Sequence, residues 1–450
     1  MSDNSNPKTF YIRTFGCQMN VHDSSRISQI LTSLGWQASP NAKEADLIIV
    51  NSCSVRAKPE HKALSEAGRH QQARKSRGAK VILAGCVAQQ GGQQLLQKAS
   101  GLDAVIGPDA ICRLPQILQQ LQTNRTPLVD IDEHDLKNPC FVPLVSSKTD
   151  QISVPVTIMK GCNNFCSYCI VPYVRGRESS REVDDILDEV RQLAAAGCRE
   201  VVLLGQNVNS YHDPSGHDFP ELLDELNRQA AVERIRFTTS HPKDLSVALT
   251  KAVSRLDRVC EHIHLGLQSG STRILKSMNR DYSQEDFTKK ALELRKAIPG
   301  LSLTTDIIVG FPSETWADFQ KTLDVVEEVA FDQAFSFMYS PRPKTLASKM
   351  VDDVVAEEKA RRLLILQELL NKLESASLAK LCNRTLQILV EKTSRRDENA
   401  MSGRTRCNRV VNFETHRTVL PGETVDIIVD QVRGHTLWGR LGTNNMTELP

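Results

Sequence analysis

A regular alternation of strand and helix patterns is the feature of this sequence that most restricts its fold. Helical patterns separate six short apolar runs between residues 155 and 338, which read PVTIMK, EVVLLG, IRFTTS, HIHLGL, LTTDIIVG and QAFSFM. The clearest helical patterns cover residues 182–197, 284–298 and 315–329. Such alternation predicts a parallel sheet flanked by helices, and six strand-helix units are fewer than the eight of a closed barrel. We therefore predict an open, partial (β/α)6 barrel.

The residues before this barrel repeat the alternation on a smaller scale. Apolar runs at 10–15, 47–50 and 81–85 are strand candidates. A helical pattern follows Asp23, and another covers residues 58–73. This arrangement predicts an N-terminal doubly wound parallel α/β domain.

The chain after the barrel changes character. One long helical pattern covers residues 356–381, and strand candidates separated by Gly, Pro and Asn turns follow it: TLQILVE, RVVNFE, TVDIIVD and LWGRLG. They predict a small antiparallel β-barrel similar to an OB-fold. The predicted domains are therefore 1–145, 146–380 with the long connecting helix, and 381–450.

Composition excludes several classes of protein. With 450 residues, 40% hydrophobic and 24% charged, the chain is typical of a globular protein with more than one core, and not of a disordered or fibrous one. It has no apolar stretch of about 18 residues and no N-terminal signal pattern, which predicts a cytoplasmic protein without a membrane anchor. Twelve cysteines are too few for a disulfide scaffold of this size, and clustered cysteines in that compartment indicate metal binding.

The strongest local signal is a CxxxCxxC cluster, Cys162, Cys166 and Cys169, directly after the strand candidate PVTIMK. Three thiolates around one corner of a cubane iron-sulfur cluster leave its fourth iron open for a small molecule. The alternatives are a zinc site, which normally has four ligands in paired spacings, or a metal-free trio of thiols. The position favours chemistry, because such barrels carry their active sites at the carboxyl ends of the strands.

This loop, with Tyr168 before its last cysteine, resembles the defining motif of the radical S-adenosylmethionine superfamily. The resemblance implies that Cys162, Cys166 and Cys169 hold a [4Fe-4S] cluster whose open iron is chelated by S-adenosylmethionine. It also implies that reduction cleaves the sulfonium to a 5′-deoxyadenosyl radical.

A second set of cysteines, Cys17, Cys53 and Cys86, follows the three strand candidates of the first domain. If those strands are parallel neighbours, the three thiols converge at one edge of the sheet; otherwise they are small residues in ordinary turns. Their contexts FGCQMN, NSCSV and AGCVAQQ resemble the methylthiotransferase family, over nearly the whole chain. The resemblance implies an auxiliary [4Fe-4S] cluster on these cysteines that presents the sulfur to be transferred.

Three later strand ends are candidates for binding S-adenosylmethionine: 204–209, 264–270 and 306–314. Each can also be an ordinary polar turn. The resemblance favours contacts near the methionine and ribose, and the predicted cofactor-binding set is Tyr168, Gln206, Asn207, Gln268, Ser269 and Asp306. Arg175, Arg177 and Arg181 can meet either a cofactor carboxylate or an RNA phosphate, and a helix-surface position is open for Arg181.

Residues 392–409 contain six Lys or Arg against two acidic residues, which indicates a phosphate-facing stripe or a solvated basic loop. The stretch SGRTRCNRVVNF resembles the TRAM domain of RNA-modifying enzymes. The resemblance implies RNA binding, and we expect Arg404, Arg406 and Arg409 to project toward one strand surface. The predicted RNA-binding set is Arg395, Arg396, Arg404, Arg406 and Arg409.

The motifs TFGCQMNVHDS, LLGQNVNSY, RFTTSHP and GRTRCNRVVNF resemble the isopentenyladenosine branch of the methylthiotransferases. One departure is Gly266-Leu267 before Gln268, where Pro-Val is more usual. The resemblance implies 2-methylthiolation of N6-isopentenyladenosine next to the anticodon, with one S-adenosylmethionine as methyl donor and one as radical source. Threonylcarbamoyladenosine in tRNA and a ribosomal-protein aspartate are alternative substrates. A non-catalytic iron-sulfur RNA-binding protein is the alternative of another class.

The expected partners follow from that chemistry. They are a tRNA anticodon stem-loop carrying isopentenyladenosine, an electron donor, and a protein that delivers sulfur or clusters. We expect a monomer, and we expect the barrel opening to face the auxiliary cysteines so that the adenine lies between the two sites.

Overall fold

The computed structural model describes residues 7–54, 57–70, 77–99, 101–123, 126–131, 141, 143, 151–394, 397–415 and 417–442. Within these ranges the chain forms a parallel α/β sheet, an open barrel and a small closed barrel in succession. The search of these ranges finds no helix that is both long and apolar enough to cross a membrane.

The first sheet has six parallel strands in the order β2-β1-β3-β4-β5-β6. They are β1 (Thr9–Phe15), β2 (Gln37–Ala38), β3 (Leu47–Ser52), β4 (Lys80–Gly85), β5 (Ala104–Ile106) and β6 (Leu128–Asp130). The helices are α1 (Gln18–Ser33), α2 (Ala57–Arg69), α3 (Cys86–Gly91), α4 (Gln94–Lys98) and α5 (Leu114–Thr123).

Helices cover both faces of this sheet, which explains why β3 is apolar at most positions and buried at all of them. Ile27 of α1 and Ile117 of α5 belong to one core. Ala63 of α2 and Leu95 of α4 belong to the core on the other face. The predicted doubly wound α/β fold is therefore confirmed.

The second unit is the predicted barrel of six parallel strands. Its elements, in chain order, are β7 (Ser153–Thr157), β8 (Met159–Lys160), α6 (Val171–Val174), β9 (Ser179–Ser180), α7 (Val183–Ala195), β10 (Glu200–Leu204), α8 (Phe219–Gln229), β11 (Arg234–Phe237), α9 (Val247–Arg255), β12 (His262–His264), α10 (Thr272–Ser277), α11 (Gln284–Ala297), β13 (Ser302–Val309), α12 (Trp316–Val329), β14 (Gln333–Met338) and α13 (Ala356–Ala379). The short strands β8 and β9 pair with each other.

The barrel strands lie in the order β7-β10-β11-β12-β13-β14. Single parallel bridges at Ile235 and Ser240 join β11 to β12. In the part of the chain that the structure describes, no ladder joins β14 to β7. The barrel is thus open, as predicted, and the long helix α13 packs against its last strand β14.

The last unit is a closed five-stranded barrel in the order β15-β16-β17-β19-β18. Its strands are β15 (Thr385–Thr393), β16 (Ala400–Thr405), β17 (Val410–Glu414), β18 (Thr424–Arg433) and β19 (Thr436–Leu441). The core includes Ile388, Val411, Phe413 and Ile427.

Two details of this barrel differ from the sequence prediction. The strand β16 was not among the strand candidates, because its sequence AMSGRT lacks an apolar run. The barrel is also not wholly antiparallel, since β17 pairs with β19 in parallel. The predicted domain limits at 145 and 380 stay predictions, and the first falls outside the described residues.

Candidate active site between the first two domains

The first cysteine trio lies at the carboxyl ends of three adjacent strands. Phe15 of β1 pairs with Ser52 of β3, which pairs with Gly85 of β4. Cys53 and Cys86 follow the last two of these residues directly, and Cys17 follows Phe15 after one glycine. The sheet order reverses between β1 and β3, which is where doubly wound sheets bind ligands. The predicted condition for convergence, neighbouring parallel strands, is therefore met.

Two glycines make room for this trio. A Cβ atom at Gly16 would lie 2.5 Å from the Cβ of Cys53, and one at Gly85 would lie 2.3 Å from Oδ1 of Asn51. Both glycines also have positive φ angles, a conformation that favours glycine. Any side chain at these positions would displace the cysteines or the asparagine that supports them.

The thiols of the first trio interact with one another and with a nearby arginine. A hydrogen bond from the Cys53 thiol lowers the pKa of Cys17 to about 6, the charge of Arg175 acting in the same direction against desolvation in the cleft. Burial raises the pKa of Cys86. Nε of Arg175 donates to Sγ of Cys86 at 3.2 Å. Donors directed at sulfur are what thiolate ligands of an iron-sulfur cluster require.

The second trio lies on the loop that follows β8. The N–H of Cys162 donates to the carbonyl of Gly176 at 3.1 Å, and the N–H of Cys169 donates to that of Cys166 at 2.9 Å. A Cβ atom at Gly161 would lie 2.0 Å from the carbonyl oxygen of Arg177, so this position admits only glycine. The loop is therefore held by backbone contacts and leaves its thiols for other partners.

Two side chains donate to sulfur in this second trio. Nη1 of Arg280 donates to Sγ of Cys166 at 3.4 Å, and Nδ2 of Asn164 donates to Sγ of Cys162 at 3.6 Å. Burial raises the pKa of Cys162 to about 11 and that of Cys169 to about 12. These thiols are consequently neutral by themselves, and metal coordination is what deprotonates a cysteine in such a place.

Both trios fit iron-sulfur clusters by their chemistry. Each site offers three thiols, a glycine cradle and nitrogen donors aimed at sulfur. Across the residues that the structure describes, no three Cys, His, Asp or Glu side chains are grouped closely enough to hold a single metal ion. The fit therefore rests on the set of donor atoms and on the hydrogen bonds that would stabilise thiolates.

The two trios lie next to each other across the joint between the first two domains. Cys86, which begins α3, packs against Ile170 and Val174 in one small apolar cluster. Ile170 directly follows Cys169 of the second trio. The contacts of Cys86 thus lie one and five residues after Cys169, at the residue before α6 and at its last residue.

The predicted cofactor-binding residues have mixed surroundings. Oε1 of Gln206 accepts a hydrogen bond from the N–H of Gly161 at 2.5 Å, so Gln206 contacts the cysteine loop. Oδ2 of Asp306 lies 3.1 Å from Nε2 of His264 in the barrel interior. Gln268 has a positive φ of 67° and bridges to β13 through its backbone.

The other three members of that set have neighbours that account for their positions. Tyr168 packs on the apolar cluster that includes Phe311. Asn207 donates to Oδ2 of Asp244 at 2.7 Å, and Oγ of Ser269 accepts from the N–H of Ser271 at 3.2 Å. Contact of any of the six with S-adenosylmethionine stays a prediction.

Two arginines that follow the loop do not lie where the sequence analysis placed them. Arg175 is buried against Cys86 and Asp23, so neither a cofactor carboxylate nor an RNA phosphate is its partner here. Arg181 is also buried, and its guanidinium bonds Glu189 at 2.5 Å rather than facing solvent from a helix surface. The partners of Arg175 lie in the first domain, far away in the sequence, whereas Glu189 lies eight positions after Arg181 on α7.

The predicted RNA-binding arginines are distributed over β16 and the turn that follows it. Arg404 lies near the end of β16, Arg406 lies in the turn and Arg409 directly precedes β17, so the expectation of one shared strand surface is wrong. Arg406 bonds Glu261 at 2.8 Å, and Arg409 bonds Asp332 at 3.1 Å. Both hold the small barrel against the open barrel.

Arg404 has a different position from its two neighbours. It bonds Glu391 at 3.1 Å and lines a cavity of about 470 Å³. Arg395 and Arg396 lie outside the described residues. RNA binding by all five arginines stays a prediction.

The cavity is bordered by all three units of the chain. Its lining includes Gln18 beside the first trio, Glu200 and Arg236 of the barrel interior, and Lys392 and Arg404 of the small barrel. Nε of Arg236 bonds Glu200 at 2.7 Å. The cavity therefore lies where the three units meet, near the amino ends of the barrel strands that begin at Ser153, Glu200 and His262, and its lining includes none of the six cysteines.

The sequence analysis did not predict that Arg175 donates a hydrogen bond to a cysteine sulfur, and it did not single out Arg280 at all. Arg280 follows the short helix α10, and the sequence around it has no motif that indicates an iron-sulfur cluster. Its contact with Cys166 joins residues 114 positions apart.

Comparison with known proteins gives the chain its class. The sequence models of the "Uncharacterized protein family UPF0004", the "Radical SAM superfamily" and the "TRAM domain" match residues 9–107, 156–326 and 380–441. Among solved structures, the chain is similar to the radical S-adenosylmethionine methyltransferase TsrM from Kitasatospora setae, with TM-score 0.55, 15% identity and coverage of 76% of this chain and 77% of that one. This likeness shows a shared fold. The barrel and its cysteine loop thus define a radical S-adenosylmethionine protein, which uses S-adenosylmethionine and a [4Fe-4S] cluster.

Curated relatives narrow this class. The tRNA-2-methylthio-N(6)-dimethylallyladenosine synthase of Syntrophus aciditrophicus (strain SB) is 44% identical over 437 residues, covering 96% of this chain and 94% of the relative. The synthase of the same name from Acetivibrio thermocellus is 42% identical, covering 96% of this chain and 91% of the relative. The chain belongs to the family of tRNA-2-methylthio-N(6)-dimethylallyladenosine synthases.

Proposed function

We propose that this chain is a tRNA methylthiotransferase that converts N6-isopentenyladenosine next to the anticodon to its 2-methylthio derivative. It uses two [4Fe-4S] clusters, one S-adenosylmethionine as methyl donor and one as radical source. The observation that carries the proposal is the first trio, Cys17, Cys53 and Cys86, which lies at the strand ends of the first sheet and packs through Cys86 against the residue that follows the radical loop. A radical enzyme that only cleaves S-adenosylmethionine has no need of it.

The residues divide the work between the two sites. Cys162, Cys166 and Cys169 would hold the radical cluster, and Cys17, Cys53 and Cys86 the auxiliary one, each with one iron left free. When bound, these groups supply a carbon radical and a transferable sulfur, which side-chain acids and bases cannot provide. Gln206 positions the cysteine loop through its bond to Gly161, and Cys86 packs against Ile170 and Val174 where the two sites meet.

The basic stretch of the small barrel supports the choice of a nucleic-acid substrate. Lys392 and Arg404 belong to this stretch and line the cavity between the three units, where they would meet phosphate groups. The adenine must leave its stack to reach the thiol sites, which an unpaired anticodon-loop nucleotide does at low cost. Arg395 and Arg396 extend the same basic stretch in the sequence. An electron donor and a sulfur or cluster carrier are the remaining partners of a cytoplasmic monomer.

The decisive experiment is an anaerobic assay of cluster-reconstituted protein with reductant, sulfide, S-adenosylmethionine and tRNA. Nucleoside mass spectrometry then compares tRNA with and without the isopentenyl group. We expect the 2-methylthio product only from isopentenylated tRNA. Cys17→Ala should lose the product and retain cleavage of S-adenosylmethionine, because the radical trio is intact.

Cys198→Ala is the matched control, because Cys198 is a buried core cysteine that belongs to neither trio. It should form product as the unaltered protein does. Cleavage without any tRNA product would redirect the search to threonylcarbamoylated tRNA or a ribosomal protein. Absence of cleavage in fully reconstituted protein would support the non-catalytic alternative.

A further inference from the structure

A buried arginine of the open barrel reaches the auxiliary cysteine site of the neighbouring domain. Arg175 directly follows α6, and its side chain is 5% exposed. Its Nε donates to Sγ of Cys86 at 3.2 Å, and its Nη2 donates to Oδ2 of Asp23 at 2.6 Å. Both partners belong to the first domain. Resting on the two-cluster function proposed above, we infer that Arg175 is a positioning residue for the auxiliary cluster, supplied from the radical barrel.

The geometry of Arg175 is fixed on two sides. Asp23, which is 1% exposed, lies on α1, the helix that begins directly after Cys17. Its carboxylate holds the guanidinium plane, so that the Nε–H stays directed at the sulfur. A guanidinium is suited to this task because its donors form a rigid planar fork. The carboxylate of Asp23 and the sulfur of Cys86 thus accept hydrogen bonds from one guanidinium group of the neighbouring domain.

The same short segment also contacts the radical site. The carbonyl of Gly176, the residue after Arg175, accepts the hydrogen bond from the N–H of Cys162 at 3.1 Å. Two consecutive residues therefore contact one cysteine of each trio, the first through its side chain and the second through its backbone. The spacing of the two cluster sites depends on this segment.

The radical site contains a close counterpart. Nη1 of the buried Arg280 donates to Sγ of Cys166 at 3.4 Å, and Nη2 donates to the carbonyl of Gly266 at 2.8 Å. Each trio thus has one buried arginine that donates to one sulfur. The difference is that Arg280 comes from the domain of its own trio, whereas Arg175 crosses the joint. Arg280 is therefore the matched control for Arg175.

The consequence for a bound cluster follows from electrostatics. The reduced cluster carries one more negative charge than the oxidised one, and a positive N–H donor at a ligand sulfur stabilises the reduced form more. This effect is large where water is excluded. Loss of Arg175 should therefore make the auxiliary cluster harder to reduce, with a reduction potential shifted to more negative values.

The test is redox titration of the full-length protein followed by electron paramagnetic resonance. To observe the auxiliary cluster alone, Cys162, Cys166 and Cys169 are replaced by Ala; to observe the radical cluster alone, Cys17, Cys53 and Cys86 are replaced. Arg175→Gln and Arg280→Gln are introduced into both backgrounds. We expect Arg175→Gln to lower the potential and alter the resonance signal of the auxiliary cluster alone, and Arg280→Gln to do so for the radical cluster alone.

Further variants separate this role from a general structural one. Arg175→Gln leaves Asp23 with Arg26, at 3.7 Å, as its cation, so the double variant Arg175→Gln/Asp23→Asn removes both charges of the Arg175–Asp23 pair together. It should bind iron as the unaltered joint does and still show the lowered potential. Arg175→Lys keeps the positive charge, so its auxiliary reduction potential should lie between those of Arg175→Gln and the parent protein.

Two results would overturn the inference. One is an auxiliary potential and signal in the double variant that equal those of the parent protein. The other is an equal shift from Arg280→Gln in the auxiliary background, which would indicate a general loosening of the protein. Failure of the proposed function would look different, because protein with the radical trio replaced would then bind no cluster even with Arg175 present.

Discussion

The open barrel contacts its two neighbouring domains through joints that differ in the burial of their ion pairs and in their use of backbone carbonyls. The first joint, between the first domain and the open barrel, contains the almost fully buried ion pair of Arg175 with Asp23. The second joint, between the open barrel and the small barrel, contains the less deeply buried pair of Arg409 with Asp332 and the more exposed pair of Arg406 with Glu261, whose side chains are 26% and 29% exposed.

The second joint also relies on the backbone. Arg236 donates to the carbonyl of Thr405 at 2.6 Å, and Arg234 donates to that of Arg404 at 2.7 Å. The first joint relies on particular side chains, including a cysteine of the auxiliary trio. Arg175 of the first joint thus contacts both a carboxylate and a candidate cluster ligand, whereas the residues of the second joint position the small barrel.

The three tryptophans of the chain allow each unit to be followed separately. Trp36, Trp316 and Trp438 lie in the first domain, the open barrel and the small barrel, respectively. Variants that retain one tryptophan, with the other two replaced by Phe, report the unfolding of one unit by fluorescence. The predictions below use urea unfolding of the cluster-free protein with these variants.

The largest effect is expected for Asp23→Ala in the first joint. It leaves Arg175 buried without its carboxylate partner, which costs about 3–5 kcal/mol for a buried pair. We expect this loss of unfolding free energy with Trp36 as the reporter and little change with Trp438. A loss below about 1 kcal/mol would mean that the two joints are alike.

An intermediate effect is expected from acid, again in the first joint. Nδ1 of the buried His22 lies 3.1 Å from Oγ1 of Thr157, and burial, reinforced by the charge of Arg26, lowers the pKa of His22 from 6.5 to about 3. Below pH 6.5 the unfolded chain binds a proton that the folded one does not. The stability from His22 is therefore complete above pH 6.5 and falls by about 1.4 kcal/mol per pH unit below it.

The measurement is unfolding with the Trp36 reporter at a series of pH values from 7.5 down to about 5. His22→Gln should reduce the slope below pH 6.5, because the titrating group is gone. His212→Gln, which replaces an exposed histidine, should leave the slope unchanged. Equal slopes in all three proteins would exclude His22 as the source.

The smallest effect is expected for Glu261→Gln in the second joint. The pair with Arg406 is partly exposed, and pairs of this kind contribute about 1 kcal/mol or less. Backbone carbonyls also continue to accept from Arg236, so the small barrel should stay in place. Urea unfolding with the Trp438 reporter measures the loss of unfolding free energy in this variant. A loss as large as that of Asp23→Ala would contradict the contrast between the joints.

The sequence predicted what depends on local pattern. Six barrel strands and the placement of Cys17, Cys53 and Cys86 after neighbouring strands follow from apolar runs and their order, and the structure confirms both. The strand β16 was missed because AMSGRT contains a glycine and few apolar residues. Its neighbours in the closed barrel, rather than its own composition, make it a strand.

The sequence did not predict contacts between distant side chains. Arg175 and Asp23 are 152 positions apart, and nothing in either local sequence indicates the other. Arg406 and Arg409 lie in a basic stretch that is typical of RNA binding, yet their partners Glu261 and Asp332 lie in another domain. A charge pattern shows that a guanidinium is present, and only the fold shows which carboxylate it meets.

The carbonyl contacts of the second joint bear on how such chains are assembled during evolution. A backbone carbonyl is present whatever residue carries it, so Arg234 and Arg236 would bind a turn of this shape in a barrel of quite different sequence. Exchange of the small barrel between such chains has to preserve this turn together with Arg406 and Arg409, which bond Glu261 and Asp332. Exchange of the first domain has to preserve Cys86 and Asp23 together with Arg175 of the open barrel.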